Sequence, residues 1–132
     1  MYSVTAVEVF SGIPVEFAYG TKCKEIDLAL SFIKNLGNNS ISIYDRLYFS
    51  TSIVKEHQAA NNYFLCRVQK NSFRQVTELY NSNEKTSTMV INGVNIRLIK
   101  FYNKKNKEET VFATNLPKEK KRYQIKRYLN YI

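Results

Sequence analysis

Strand and helix patterns alternate along the first seventy residues, and this alternation limits the fold more than any other feature of the chain. Apolar residues recur at period two in the strand segments and at helical spacing in the others. In chain order these patterns predict a β-hairpin at 2–19, a helix at 21–36, a strand at 40–44, a helix at 50–61 and a strand at 63–68. Such alternation favours an α/β fold with a largely parallel sheet and crossover helices.

The pattern changes after Lys70 to one typical of antiparallel strands. Asn92-Gly93 is a strong hairpin turn signal between the strand patterns of 88–91 and 94–101, and a further strand pattern covers 110–114. Within a single domain of 132 residues, we therefore distinguish three parts. They are an α/β part at 1–70, a small antiparallel β insertion at 71–117, and a basic, aromatic tail at 118–132, helical from about Gln124.

Composition indicates a globular protein in a reducing compartment. The hydrophobic fraction of 44% is enough for a buried core. Cys23 and Cys66 lie far apart, which gives neither a zinc signature nor a disulfide framework. No apolar run has membrane-spanning length and the amino terminus has no signal-like pattern, so we expect a cytoplasmic location and no membrane partner.

Positive charge is concentrated in the second half. Residues 1–50 carry four basic and five acidic side chains, whereas residues 51–132 carry sixteen basic and six acidic ones. This asymmetry predicts an anionic partner, most simply nucleic acid. The alternative interpretation is a solvated basic surface without a specific partner.

Asp45 is the candidate functional acid. It follows the apolar strand of 40–44 directly and precedes a helix that Ser50 or Thr51 would cap. The carboxyl end of a buried strand is a common position for a functional acid in an α/β sheet, although Asp45 could instead only cap the turn. His57 has no partner at ligand spacing in its helix, so we expect it on the surface.

A series of short motifs resembles the catalytic domain of bacterial DDE transposases, in the branch named for insertion sequence four. The series includes a hairpin entry at 8–14, an Asp-Arg-Leu-Tyr segment and a Phe-x-x-Arg strand. It ends with the Asn92-Gly93 hairpin and a Thr-Asn-Leu segment. The motif residues are Asp45, Arg46, Tyr48, Arg67, Thr114, Asn115 and Leu116.

The resemblance implies a ribonuclease-H-like mixed sheet that lacks its first strand, with the β insertion placed before a last helix. It also implies a site in which three acids hold two Mg²⁺ ions for phosphoryl transfer on DNA. Asp45 matches the second acid. The first belongs to a strand before the hairpin and the third to a helix after Thr-Asn-Leu, and neither has a counterpart between Met1 and Ile132.

One carboxylate is too few for two Mg²⁺ ions, so we expect no cofactor and no strand-transfer or nuclease activity from this chain alone. Glu8, Glu16 and Asp27 are other carboxylates, but none occupies a motif position. The missing strand has a structural consequence, because unpaired backbone groups inside a sheet are costly. We therefore expect either the hairpin to pair directly with the strand before Asp45, or a homodimer that completes the sheet by strand exchange.

Three functions are open from the sequence. The first is an inactive, transposase-derived protein of a mobile element that binds DNA or its full-length relative. The second is a repurposed protein-binding inhibitor carried by a mobile element or phage. The third is one part of an active transposase completed by another chain. For the first, the DNA-contacting residues would be Arg97, Lys100, Lys104, Lys105, Lys107, Lys118, Lys120, Lys121, Arg122, Lys126 and Arg127, with Tyr102, Tyr123 and Tyr128 among them.

Overall fold

A computed structural model describes residues 2–7, 14–20, 25–37 and 40–117. Seven strands and three helices lie within these ranges. The strands are β1 (Tyr2–Val7), β2 (Pro14–Gly20), β3 (Ile41–Tyr44), β4 (Tyr63–Val68), β5 (Thr86–Ile91), β6 (Val94–Asn103) and β7 (Glu108–Thr114). The helices are α1 (Glu25–Ile33), α2 (Thr51–Ala59) and α3 (Arg74–Tyr80), and a short 3-10 turn covers Arg46–Tyr48.

Five strands form one mixed sheet in the order β3-β4-β7-β6-β5. Strands β3 and β4 are parallel and are joined through α2, as the alternating pattern predicted. The pairs β4–β7, β7–β6 and β6–β5 are antiparallel. The α/β class is therefore confirmed. The expectation of a largely parallel sheet is wrong, because the later strands continue the sheet that β3 and β4 begin and all of them join it antiparallel.

The main core lies between one face of this sheet and the helices. Apolar residues of all three helices, such as Ile33, Ile53 and Val76, cluster there with Phe64 and Leu98 of the sheet. Because side chains alternate along a strand, Leu65 points to the opposite face, where it forms a smaller cluster with Phe112 and Leu116.

Local signals account for several element ends. Ser50 caps α2, because its Oγ accepts a hydrogen bond from the Ile53 N–H. Asn92 and Gly93 both have positive φ, at 49° and 77°, as the two central residues of a type I′ hairpin turn require. Helix α3 was not predicted, since it has seven residues, its N-cap Phe73 makes no side-chain capping bond, and only Val76 and Leu79 are buried.

The hairpin of β1 and β2 does not join the large sheet within the described residues. The two strands pair with each other, with a register irregularity between Ala6 and Val7, and both contact α1. The expected direct pairing of the hairpin with β3 is therefore wrong. The described hairpin strands form a separate two-stranded sheet and contact α1 instead. Strand exchange between copies at β3 stays a prediction. No helix in the described ranges is long and apolar enough to cross a membrane.

Candidate functional site

Asp45 lies at the carboxyl end of β3, where the sequence placed it. Its Oδ1 accepts a hydrogen bond of 2.7 Å from the Arg46 N–H and so caps the 3-10 turn. The same oxygen lies 3.8 Å from an Nη atom of Arg67, near the end of the parallel strand β4. The side chain of Asp45 is 58% exposed and that of Arg67 is 34% exposed. Asp45 therefore has both a capping role and an ion-pair partner.

These surroundings do not fit the metal centre that the transposase resemblance implies. A divalent cation at Asp45 would have to share the carboxylate with the Arg67 guanidinium, which is already positively charged. In the described ranges, no three His, Cys, Asp or Glu side chains come together in a way that could hold a metal ion. Asp27 lies exposed on α1, Glu16 lies in β2, and Glu8 is outside the described residues.

Replacing Asp45 with alanine should lower the free energy of unfolding by no more than about 1 kcal/mol, because an exposed cap and an exposed ion pair each contribute little. Asp45→Asn should recover most of the loss, since its side-chain oxygen can still accept from Arg46. Urea unfolding of the two variants measures the difference. A loss above about 3 kcal/mol would contradict the exposed, capping geometry.

A chain of hydrogen bonds runs from Tyr44, the residue before Asp45, into the core. The Tyr44 hydroxyl is 2.8 Å from His57 Nε2, and His57 Nδ1 is 2.5 Å from Asn62 Oδ1. The Asn62 Nδ2 group donates to the Ile33 carbonyl at 3.1 Å. Because Asn62 donates through its nitrogen, its oxygen accepts from His57 Nδ1–H, and the hydroxyl of Tyr44 donates to Nε2. The expectation that His57 lies on the surface is wrong, since the residue is fully buried.

Burial also shifts the proton affinity of these groups. It lowers the pKa of His57 to about 4, an effect that the hydrogen bond to Asn62 partly opposes. Burial raises the pKa of Tyr44 to about 12. It also raises the pKa of the Cys66 thiol, which lies on β4 near the charge of Asp45. At neutral pH these groups are uncharged, which suits a structural network better than a nucleophile.

The Thr-Asn-Leu segment ties β7 to its neighbours. Thr114 Oγ1 donates to the Phe64 carbonyl at 2.6 Å and accepts from the Leu116 N–H at 3.0 Å. Asn115 Oδ1 accepts from the Phe64 N–H at 2.9 Å, and its Nδ2 donates to the Asn62 carbonyl at 3.1 Å. The segment thus extends the pairing of β4 and β7 beyond their ladder.

Two of the predicted DNA-contacting residues make internal contacts. Arg97 Nε donates to the Leu116 carbonyl at 2.9 Å, and Arg97 is half-buried. Lys100 Nζ donates to the carbonyls of Leu79 and Ser82, at 3.0 and 2.6 Å, at the carboxyl end of α3. A cation there satisfies terminal carbonyls and the helix dipole. Both side chains therefore stabilise the fold in the observed geometry.

The lysines of the β6–β7 turn are placed differently. Pairing of β7 with β4 ends at Val111, and pairing of β6 with β5 extends only to the level of Lys100. Residues 101–110 therefore form a two-stranded extension, here called the ribbon. Lys104, Lys105 and Lys107 lie exposed at its tip. Phe101 and Tyr102, on opposite faces of the ribbon, are 41% and 51% exposed.

The ribbon and Asp45 lie at the same end of the sheet. Strands β3 and β4 are parallel, and two antiparallel steps make β6 run in the same direction as β4. The carboxyl ends of β3, β4 and β6 therefore lie at the same end of the sheet. Arg46 and Arg67 are thus at the same end as the ribbon. Three strand spacings separate β3 from β6, or roughly 14 Å.

Comparisons with protein-family models, with curated proteins and with solved structures gave no match. The transposase resemblance is therefore carried by the sequence motifs alone. The remaining predicted DNA-contacting residues lie outside the described residues. They are Lys118, Lys120, Lys121, Arg122, Lys126 and Arg127.

Proposed function

We propose that this chain is a transposase-derived protein that binds DNA through the ribbon and does not catalyse strand transfer by itself. The observation that carries the proposal is the ribbon, which presents three exposed lysines at its tip and two partly exposed aromatic rings beyond the end of the sheet. Glu108 and Glu109 are also exposed on the ribbon, so the three lysines leave it with a net charge of +1. Lysines contact phosphates, and aromatic rings stack on unpaired bases. Arg46 adds a positive charge at the same sheet end, where Asp45 offsets the charge of Arg67.

A ribonuclease-H-like origin is part of this proposal. The order hairpin, helix, strand, helix, strand, the parallel pairing of β3 and β4, and the position of Asp45 after β3 all support it. The proposed loss of catalysis is supported by the surroundings of Asp45, which is capped by Arg46 and paired with Arg67. An acid held in this way is a remnant of a metal site rather than a working ligand.

Fluorescence anisotropy with labelled duplex and single-stranded oligonucleotides tests DNA binding. If the ribbon lysines contact phosphates, affinity should fall at least about tenfold between roughly 50 and 200 mM salt. Single strands should bind at least as well as duplex, because the exposed rings can stack only on unpaired bases. Absence of binding at the lower salt would contradict the proposal and favour the protein-binding alternative.

Plasmid nicking in Mg²⁺ or Mn²⁺ tests the catalytic part. We expect no nicking above the level of an Asp45→Ala control. Nicking that depends on the metal and disappears in Asp45→Ala would overturn the proposed loss of catalysis, while leaving DNA binding to be judged by anisotropy.

A further inference from the structure

The sheet edge formed by β5 lacks the features that usually prevent edge strands from pairing with other chains. The strand Thr86–Ile91 contains no charged residue and no proline, and it pairs with β6 without a bulge. In the described part of the chain, no further strand lies beside it. Natural edge strands commonly carry lysine, proline or a bulge.

The pairing with β6 determines which backbone groups of β5 point away from the sheet. The Lys100 N–H donates to the Lys85 carbonyl at 2.7 Å. Hydrogen-bonded pairs alternate along an antiparallel ladder, so residues 85, 87, 89 and 91 turn their backbone groups toward β6. The N–H and C=O groups of Thr86, Thr88 and Val90 therefore point outward. All three residues are exposed, and Val90 is 65% exposed, the most of any large apolar residue in the described ranges.

The opposite edge, at β3, is a weaker candidate for pairing. Strand β3 has four residues, all of them half-buried, whereas β5 has six, and the three with outward backbone groups are exposed. A partner strand could therefore reach β5 more easily than β3.

We propose that β5 pairs antiparallel with β5 of a second copy across a two-fold axis, with Thr88 opposite Thr88 of the second copy. This register places Thr86 opposite Val90 on both sides of the axis. It therefore pairs residues 86, 88 and 90, the only residues of β5 whose backbone groups point outward, with each other. The three hydrogen-bonded pairs exchange about six main-chain hydrogen bonds. Two five-stranded sheets then join into one continuous sheet.

The residues around β5 permit a second copy in this register. A net charge of +9 opposes self-association, so two copies can meet only where like charges do not face each other. In the proposed pairing, Lys85 lies opposite Ile91 and Glu84 opposite Asn92, so no two charged side chains face each other. The pairs that do face each other, Thr with Thr and Val with Thr, are favourable across antiparallel strands.

Sedimentation over a range of protein concentrations, combined with edge variants, tests the interface. Wild type should shift from monomer to dimer as concentration rises, because one strand pair gives a small interface. Thr88→Lys should keep the protein monomeric, since it places two like charges opposite each other. Gln58→Lys adds the same charge on the exposed side of α2, away from the β5 edge, and should dimerise like wild type.

Cysteine cross-linking tests the register. Under mild oxidation Thr88→Cys should form a covalent dimer, because opposite Cα atoms in a hydrogen-bonded pair are about 5.5 Å apart. Thr86→Cys should not, since the two copies of residue 86 would be roughly 13 Å apart. A protein that is monomeric at every concentration, a dimer unaffected by Thr88→Lys, or equal cross-linking of both variants would overturn the proposal.

Discussion

Replacing Asn62 with alanine should lower the free energy of unfolding by about 3 kcal/mol. The change removes both hydrogen bonds of a buried amide, so that His57 Nδ1–H loses its partner and the Ile33 carbonyl keeps only the Leu36 N–H. A buried polar group without a partner costs about 1–3 kcal/mol. The effect is large because Asn62 connects the end of α1 to α2 and, through His57 and Tyr44, to β3.

Urea unfolding with Gln58→Ala as the control measures this effect. Gln58 is an exposed residue of α2, the helix that carries His57, so its replacement should change stability by less than about 0.5 kcal/mol. If Asn62→Ala were as stable as Gln58→Ala, the buried network would have no structural role.

Acidification should destabilise the protein before its carboxylates titrate. The pKa of His57 is about 4 in the folded chain and 6.5 when the residue is unperturbed. As the pH falls below 6.5, the unfolded chain binds a proton that the folded chain does not, so stability is lost between pH 6.5 and about 4. The loss should be about 1 kcal/mol between pH 7 and 5.5 and roughly 3 kcal/mol in total.

The chain contains a single histidine, so a change in stability between pH 7 and 5.5 can be assigned to His57. Unfolding free energies of wild type and His57→Gln at pH 7 and 5.5 provide the measurement. The variant should be less stable but nearly independent of pH over this range. A wild type with equal stability at the two pH values, or a variant with the same pH dependence, would contradict the buried, neutral state of His57.

Strand and turn positions could be predicted because their signals are local. The strand at 63–68, the Asn92-Gly93 turn and the Ser50 cap depend on residues a few positions apart, and the structure confirms each of them. The position of Asp45 after a strand follows from the same kind of pattern.

The partners of the side chains could not be predicted in this way, because they come from distant parts of the chain. His57 lacks a ligand-spaced neighbour in its helix, but its burial depends on Tyr44 from β3 and on Asn62 beyond α2. Lys100 was grouped with the basic surface. One of its two carbonyl partners, that of Leu79, lies in α3, which the sequence signals did not reveal. Likewise, pairing of β7 with β4 joins residues about fifty positions apart, as the Thr114–Phe64 contact illustrates.

The salt dependence of DNA binding by a ribbon variant tests the proposed function most directly. Lys104, Lys105 and Lys107 are changed together to glutamine, and the control changes Lys34, Lys55 and Lys85, three exposed lysines outside the ribbon, in the same way. The slope of log affinity against log salt should be shallower by about two to three in the ribbon variant, because each phosphate contact contributes about 0.9 to that slope. The control should keep the wild-type slope. Equal slopes for the two variants would contradict DNA binding through the ribbon.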